Sequence, residues 1–475
     1  MPPPWPRTAP TAAQHAAFAD AAVLPFWLDD LPATEDAPPV AEEVEADLCI
    51  VGGGFTGLWA ALHAKARDPA REVVVLEADT CGHGASGRNG GFLLSSLTHG
   101  LENGLARFAD EMETLERLAF ENYDGLRGDL DRHGIDCDFE ESGDLSVALE
   151  PHELADLDEA AELMRRYGHD VEVLDGERMR AEVRSPTYLG GLWDRTGAAL
   201  VHPGKLARGL RTAALGAGVR LFEGTRVERT RGAGAGVELT VAGGSVKARR
   251  ALLATSAYPP LVRSARRYVL PVYDYALMTE PLSAAQRESI GWSRRQGLGD
   301  SGNQFHYYRL SADDRILFGG YDAVYRFGGP VGAHLDDHEP SFAMLSQHFF
   351  TTFPQLEGLR FTHRWGGAID TCSRFSVFFG TALGGRVSYA TGYTGLGVAA
   401  SRFGAEVALD LLDGHETDAT RLRYVRSRPV PFPPEPLRSG VVRLTQNRLA
   451  AADRHEGRRG LWLRTLDRAG LGFDS

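Results

Sequence analysis

The sequence has little cysteine, almost no lysine and no long apolar run, and each shortage excludes a class of protein. The four cysteines show no CxxC spacing, which argues against a zinc site or a disulfide framework and predicts a reducing, cytoplasmic location. Nowhere do about 18 apolar residues run together, so no membrane-spanning helix is expected. The first ten residues also lack the apolar core of a signal peptide.

Basic charge is scarce as well. Asp and Glu number 64 against 51 Lys and Arg, which gives a formal net charge of −13, and only three of the basic residues are lysines. Because the chain has no basic excess to neutralise phosphates, a nucleic-acid partner is not expected. What the chain does have in quantity is glycine, with 55 residues among 475, and its length is sufficient for two or three domains with apolar cores.

The most informative stretch is a strand, a glycine turn and a helix start near the N-terminus. Residues 47–51 are typical of a buried parallel strand, and Gly52, Gly54 and Gly57 follow at GxGxxG spacing before an apolar helix at residues 58–62. In this motif the glycines allow a tight turn, close approach of a pyrophosphate, and close packing of helix on strand. The free N–H groups at the helix start then bind phosphate.

A second apolar run, Val73 to Leu76, supports a dinucleotide site. It ends at Glu77, twenty residues after Gly57, where a carboxylate can accept hydrogen bonds from ribose hydroxyls. The alternative, a glycine-rich turn without a nucleotide, does not explain this combination. The unit predicts the adenosine diphosphate half of a cofactor, but by itself it does not separate FAD from NAD.

Two further glycine-rich segments extend this interpretation. Residues 81–92 are too glycine-dense for a helix or strand and predict a loop that brings backbone close to a flat ligand. Near the C-terminus, residues 386–391 are typical of a strand that runs into the turn Gly392–Gly397 and an apolar helix through Leu412. Two glycine-led helix starts indicate one large cofactor held from two sides. Gly232–Gly236, by contrast, lies between short β runs and predicts a hairpin turn.

The remaining segments predict a second sheet and two peripheral regions. Residues 268–280 and 304–325 are rich in β-branched and aromatic side chains, as expected for long antiparallel strands. A long helical pattern covers residues 101–133. Residues 1–45 are interpreted as an arm, loose except where residues 25–28 dock on the body, and the tail from Arg426 as amphipathic helices packed on the body.

These motifs resemble the D-amino-acid oxidase superfamily of flavoproteins, which includes glycine oxidase and sarcosine oxidase, and above all its gamma-glutamylputrescine oxidoreductase branch. The matching stretches are Val51–Gly57, Ala85–Phe92, Gly224–Glu228, Ala254–Tyr258, Trp365–Gly367 and Gly392–Gly397. The resemblance implies an α/β fold, α+β overall, with a Rossmann-like FAD-binding domain of the glutathione-reductase type and an antiparallel-sheet substrate domain. The expected division is an arm (1–46), an FAD-binding domain (47–105, 195–260 and 360–415), a substrate domain (106–194 and 261–359) and a helical tail (416–475).

The resemblance also implies which residues hold FAD. The pyrophosphate would lie against Gly52, Gly54, Phe55, Thr56 and Gly57, and the adenosine ribose against Glu77. The flavin ring would lie along Ser86, Gly87, Arg88, Asn89, Gly90, Gly91 and Phe92, with Arg88 and Asn89 near its polar edge. Val227 and Ala254 would contact the adenosine, and Gly366, Gly367, Gly395, Leu396 and Gly397 would surround the ring.

The chain departs from these relatives at several positions. Gly367 stands where sarcosine oxidases tether the flavin through a cysteine, so noncovalent FAD is expected. The arginine that clamps a substrate carboxylate is replaced by Ile369, followed by Asp370, and a second arginine position holds Gly395. Asp370 could instead pair with an ammonium. No lysine follows Lys247, so the oxygen-activating lysine of sarcosine oxidase has no counterpart there.

Candidate substrate residues lie on the predicted second sheet. Strand alternation puts His306 and Tyr308 on one face and Phe305, Tyr307 and Arg309 on the other, without saying which face lines the cavity. The predicted catalytic residues are His306, Tyr308, Asp370, Tyr275 and Trp365. For each aromatic residue, plain packing in a sheet is an equal alternative.

The expected reaction is oxidation of the C–N bond of a primary or secondary amine, by hydride transfer to flavin N5, to an imine that water hydrolyses. The alternatives are an oxidase of glycine, sarcosine or D-amino acids, a C–O dehydrogenase, and a non-catalytic flavin-binding module. The electron acceptor is O2 or another molecule, no metal is expected, and the sequence does not indicate the oligomeric state.

Overall fold

The structure, a computed structural model, describes residues 5–6 and 8–472. The parts of the predicted arm at 1–4 and 7, and of the predicted tail at 473–475, lie outside the described residues. Within the described part of the chain, no helix is both long and apolar enough to span a bilayer.

The strands are β1 (Ala22–Val23), β2 (Val44–Val51), β3 (Val73–Leu76), β4 (Phe92–Leu94), β5 (Asp144–Ala148), β6 (Val171–Asp175), β7 (Gly190–Asp194), β8 (Ala198–Leu200), β9 (Arg220–Phe222), β10 (Val227–Ala233), β11 (Gly236–Val241), β12 (Gly244–Leu253), β13 (Leu270–Thr279), β14 (Gly297–Asp300), β15 (His306–Leu310), β16 (Ile316–Gly320), β17 (Phe361–Thr371), β18 (Phe378–Ala382) and β19 (Val387–Thr391). The helices are α1 (Ala12–Phe18), α2 (Phe26–Asp29), α3 (Phe55–Arg67), α4 (Leu101–Phe108), α5 (Met112–His133), α6 (Pro151–Arg166), α7 (Gly176–Glu182), α8 (Pro203–Gly216), α9 (Ala284–Ile290), α10 (Glu339–Thr352), α11 (Gly397–Asp413), α12 (Asp418–Arg421), α13 (Arg423–Arg426), α14 (Leu437–Asp453) and α15 (Leu461–Arg468).

A mixed sheet with a parallel centre carries the nucleotide-binding motif. Its main path is β10-β11-β12-β2-β3-β9, with β19 added beside β12 and β18 beside β19. Ile50 pairs with Val75 on one side and with Leu252 on the other. These strands are continuous apolar runs because helices α3, α5 and α11 bury one face and a second apolar cluster buries the other. The predicted hairpin turn at Gly232–Gly236 is confirmed between β10 and β11.

A nine-stranded sheet forms the other half of the molecule, in the order β1-β17-β13-β16-β15-β14-β5-β7-β6. Helix α10 covers one face, where Tyr275 and Leu277 of β13 belong to a core with Phe342. Alternation along β13 turns Asp274 and Ala276 to the opposite face. That face looks toward the glycine turns of the first sheet and forms one wall of a cavity.

The domain boundaries differ from the predicted ones in two places. Strand β17, expected in the FAD-binding domain at 360–415, pairs along β13 in the nine-stranded sheet. Helix α5, expected in the substrate domain at 106–194, packs its apolar side into the core of the FAD-binding sheet. In both cases the element joins a sheet or core made of residues distant in the sequence, and the order of elements along the chain does not show this.

The N-terminal arm is docked rather than loose. Phe18 at the end of α1 is buried in the core beneath α10, and β1 pairs in parallel with β17. Trp27 of α2 is also fully buried. The arm therefore covers an edge of the nine-stranded sheet, because its apolar residues are spread over positions 17–27 rather than confined to the predicted patch.

Candidate active site

A cavity of about 1450 Å³ lies between the two sheets. It is lined by the turn after β2, the loop of residues 81–92, the turn after β19, and residues of β13, β15 and β17. The volume exceeds the roughly 300–1,000 Å³ of an ordinary small-ligand pocket. The cavity is therefore large enough for a dinucleotide and a second molecule beside it.

The first glycine turn requires glycine at two positions for steric reasons. Gly52 has φ of 113°, a left-handed conformation that favours glycine, and a Cβ on Gly57 would lie 1.9 Å from the Gly52 carbonyl oxygen. Gly54 is the N-cap of α3 and offers no side chain to cap it, although the Phe55 amide donates to Ser86 Oγ at 2.9 Å. Helix α3 thus begins at the cavity wall, where the free amide groups of its first turn can bind an anion.

Glu77 lies at the carboxyl end of β3 and lines the same cavity. Its Oε2 accepts a hydrogen bond from the Gly53 amide at 2.6 Å, and Oε1 accepts one from the Asp79 amide at 2.9 Å. Burial raises the pKa of this carboxyl group above its usual value. A carboxylate has about four acceptor positions, so capacity remains for ribose hydroxyls.

The loop of residues 81–92 is held by its own polar side chains. Arg88 Nη1 donates to Asp336 Oδ2 at 2.6 Å and to the Gly366 carbonyl at 3.0 Å. Asn89 donates to the Ser86 carbonyl at 2.9 Å and accepts from the Gly91 amide at 2.8 Å. Arg88 and Asn89 therefore fix the backbone of the loop while they line the cavity.

The second glycine turn reaches the cavity from the other side. Gly395 has φ of 93°, and Leu396, the N-cap of α11, makes no side-chain capping hydrogen bond within the described chain. The two turns touch, since the Thr56 hydroxyl donates to the Tyr393 hydroxyl at 2.9 Å. One cavity thus receives the N-termini of α3 and α11, both of which favour negative charge.

Most residues predicted to hold FAD line this cavity. They are Gly52, Gly54, Phe55, Thr56, Glu77, Ser86, Arg88, Asn89, Gly90, Phe92, Val227, Ala254, Gly367, Gly395, Leu396 and Gly397. Four predicted residues pack behind the lining instead: Gly57, Gly87, Gly91 and Gly366. A Cβ at any of these four would lie within 3 Å of a neighbouring atom, so their contribution is close packing.

The predicted pair His306 and Tyr308 lies on the wrong face of β15. His306 Nδ1 pairs with Asp300 Oδ2 at 2.5 Å, and the Tyr308 hydroxyl accepts from the Tyr188 hydroxyl at 2.9 Å, in the core beneath α10. Phe305 and Tyr307 line the cavity instead. Because strand alternation fixes only which residues share a face, the position of α10 decides which face is covered.

The other three predicted catalytic residues do line the cavity, but their polar groups are engaged in the structure. Asp370 Oδ2 accepts from the Gly392 amide at 2.6 Å, and burial raises the pKa of Asp370 to about 6. The Tyr275 hydroxyl donates to the Leu335 carbonyl at 3.0 Å. The Trp365 indole donates to the Arg88 carbonyl at 2.9 Å. Asp370 thus supports the second glycine turn, and its expected contact with a substrate ammonium stays a prediction.

Sequence reasoning missed Asp274, which lines the cavity opposite Gly367 in the pairing of β13 with β17. The Tyr307 hydroxyl donates to its Oδ2 at 2.7 Å, and the Tyr275 amide donates to its Oδ1 at 2.8 Å. Burial raises the pKa of Asp274 to about 6. The available signal was a single carboxylate inside an apolar strand, next to the predicted residue Tyr275.

The cavity fits FAD on structural grounds. Two helix N-termini open into it, glycine positions allow the backbone to approach, and Glu77 stands where a ribose is held. No group of three or more His, Cys, Asp or Glu residues in the described regions has the arrangement of a metal site.

Comparison with known proteins agrees with this reading. Residues 47–411 match the family model described as FAD dependent oxidoreductase, DAO. The chain is 34% identical over 402 residues to gamma-glutamylputrescine oxidoreductase of Escherichia coli, covering 82% of this chain and 89% of the relative. It is 28% identical to a probable oxidoreductase of Haemophilus influenzae, covering 86% and 92%.

Solved structures show the same fold. Glycine oxidase from Geobacillus kaustophilus superimposes with a TM-score of 0.63 at 22% identity, covering 79% of this chain and 96% of that one. L-proline dehydrogenase from P. horikoshii gives 0.65 at 17% identity, covering 79% and 95%. With a family match over most of its length and a relative above 30% identity, the chain belongs to the DAO family of FAD-dependent oxidoreductases.

Proposed function

We propose that this enzyme oxidises the C–N bond of a primary or secondary amine that carries no carboxylate on the reacting carbon. The observation that carries the proposal is the half-buried Asp274–Tyr307 pair beside Gly367, in a cavity where Arg88 is already paired with Asp336. A carboxylate in this position attracts a cation and repels an anion. The name of the E. coli relative, which refers to a putrescine derivative, supports an amine substrate.

Arg88 and Arg309 do not offer a carboxylate clamp, because both are engaged by other groups. Ile369 and Gly395 occupy the two positions at which carboxylate-binding relatives are expected to have arginine. Arg88 is paired with Asp336 at 2.6 Å. Arg309, on the cavity side of β15, is fully buried and donates to the Val201 carbonyl at 2.6 Å. An α-amino carboxylate would therefore bring its negative charge close to Asp274, and neither Arg88 nor Arg309 would be free to compensate it.

The protein's part in the reaction follows from the same contacts. When bound, FAD accepts a hydride from the carbon beside the amine nitrogen. Asp274 binds the ammonium, and the Tyr307 hydroxyl fixes the orientation of that carboxylate. Because burial disfavours both charged forms, it promotes transfer of the proton from the ammonium to Asp274, which leaves the neutral amine that can be oxidised. The N-terminus of α11 would stabilise negative charge on FAD once it is reduced.

An anaerobic flavin-reduction assay tests the proposal. We expect amines to bleach the visible flavin absorbance, and the corresponding α-amino acids to do so at least about tenfold less efficiently, because of the uncompensated charge. Reduction by short amino acids alone, or by hydroxy compounds alone, would contradict it. Admitting air to the reduced enzyme then distinguishes O2 from another electron acceptor.

The proposed cytoplasmic location is supported by four free thiols.

A further inference from the structure

A second carboxylate, Asp144 on β5, also lines the cavity. In the register of the sheet it stands beside Gly297, on the same face as Gly299 and Tyr307. Within the described part of the chain, no hydrogen bond or ion pair engages its carboxyl group. Burial, with a smaller contribution from the charge of Asp194, raises the pKa of Asp144 to about 7.

Around Asp144, three carboxylates stand beside one hydrogen-bonded cation. Asp194 of β7 pairs with Asp144 of β5. Its carboxylate is hydrogen-bonded to one ring nitrogen of His169 at 2.7 Å, and the other ring nitrogen lies 3.4 Å from Glu116. Burial alone would lower the pKa of His169, but these hydrogen bonds raise it to about 9, so the ring is charged at neutral pH. Asp194 and Glu116 share this single cation, and Asp144 is left without one.

The floor of the cavity between Asp144 and Asp274 is largely apolar, with the Tyr307 ring lying over Gly319 and open space over Gly299. Ala276, Gly319, Tyr307 and Gly299 stand side by side across β13, β16, β15 and β14. A Cβ on Gly299 would have no neighbour closer than 3.8 Å, so nothing fills that space.

An apolar wall continues this floor toward Asp144. A Cβ on Gly297 would lie 2.4 Å from the Phe92 ring, so this ring stands over β14, beside the strand that carries Asp144. Phe92 and Leu298 both line the cavity. Such a surface suits the methylene chain of a ligand.

The distance between Asp274 and Asp144 favours long substrates. Four strand spacings separate β13 from β5, which at about 4.8 Å each is roughly 19 Å across the sheet. A short amine at Asp274 cannot reach Asp144. A long, flexible chain with charge at its far end can.

We propose that Asp144 binds a second ammonium group at the far end of the substrate, so that the preferred substrates are long amines with a cation at each end. This inference rests on the proposed function, because it places the reacting amine at Asp274. It adds a specificity residue that does not contact the reacting atoms.

The test compares α,ω-diamines of increasing length with n-alkylamines of the same length on the flavin-loaded enzyme. We expect long diamines to bind at least about tenfold more tightly than the matched monoamines. Asp144→Asn should remove that difference while changing the monoamine dissociation constant and the limiting rate of flavin reduction less than about twofold. Asp144→Glu, which keeps the charge, should retain much of the preference.

A binding measurement separates recognition from chemistry. A diamine with no hydrogen on its α-carbons cannot be oxidised, and its affinity for wild type and Asp144→Asn can be measured by calorimetry. Equal affinity for both proteins, or an equal loss for diamine and monoamine, would overturn the inference. If monoamines reduce the flavin but a second ammonium gives no advantage, this inference alone fails. If no amine reduces the flavin, the proposed function fails as well.

Discussion

At the scale of single residues, the hydrogen bond from Tyr307 to Asp274 affects the protonation of the carboxylate that we propose binds the substrate amine. Burial raises the pKa of Asp274 to about 6, and the Tyr307 hydroxyl opposes that shift by stabilising the ionised form. Amine binding needs the ionised carboxylate, so it should weaken as pH falls through the pKa of Asp274. The pH profile of flavin reduction by an amine should therefore fall on its acidic side near pH 6.

Tyr307→Phe should move this limb to higher pH, because the carboxylate loses a donor and its pKa rises. The limiting rate of flavin reduction should also fall by about tenfold or more, since the carboxylate is less well oriented. Stopped-flow reduction across pH 5–9 measures both effects. Tyr275→Phe is the matched control, because its hydroxyl donates to the Leu335 carbonyl rather than to Asp274. A limb that moves equally in both variants would refute a specific role for Tyr307.

At the scale of secondary structure elements, FAD binding by the turn between β2 and α3 depends on how closely α3 packs against β2. Gly57→Ala would place a methyl group 1.9 Å from the Gly52 carbonyl oxygen, so α3 must move away from the turn. Overpacking of this kind costs about 1–3 kcal/mol, and we expect FAD affinity to fall by roughly tenfold to hundredfold. Titration of apoprotein with FAD, followed by flavin fluorescence, gives the dissociation constant.

Gly128→Ala in α5 is the control for the glycine turn. A Cβ there would have no neighbour within 4 Å, and an alanine in a helix is favoured by about 1 kcal/mol. This variant should bind FAD as wild type does and unfold at a slightly higher temperature. Unchanged FAD affinity in Gly57→Ala would show that the turn tolerates a wider approach of α3.

The glycine turns could be predicted from sequence because each is local: strand, turn and helix start are contiguous in the chain. Asp274 could not be identified in the same way. Its position depends on the pairing of β13 with β17, whose residues lie about ninety positions further along the chain. Likewise, alternation in β15 separates His306 from Tyr307, but only the packing of α10 shows that Tyr307 is the residue in the cavity.

At the scale of the whole molecule, the arm joins the two halves that sequence order suggested were separate. Trp27 is fully buried between Phe26, Trp365 and residues of β13 and β16, while its carbonyl oxygen lies 2.0 Å from where a Cβ on Gly204 of α8 would be. The arm thus packs against the nine-stranded sheet and against a helix of the FAD-binding half. The sequence predicted that residues 25–28 dock on the body, but it did not indicate that Trp27 contacts both halves.

Trp27→Ala should therefore lower the free energy of unfolding by about 3–5 kcal/mol, the usual cost of removing a large buried aromatic side chain. Urea unfolding, followed by tryptophan fluorescence and by flavin release, measures the loss. Because Trp27 touches both halves, the two signals should shift to lower urea together. Val23→Ala, at a 44% exposed position in the same arm, should change the midpoint little. If flavin release in Trp27→Ala keeps the wild-type midpoint, the arm stabilises the nine-stranded sheet alone.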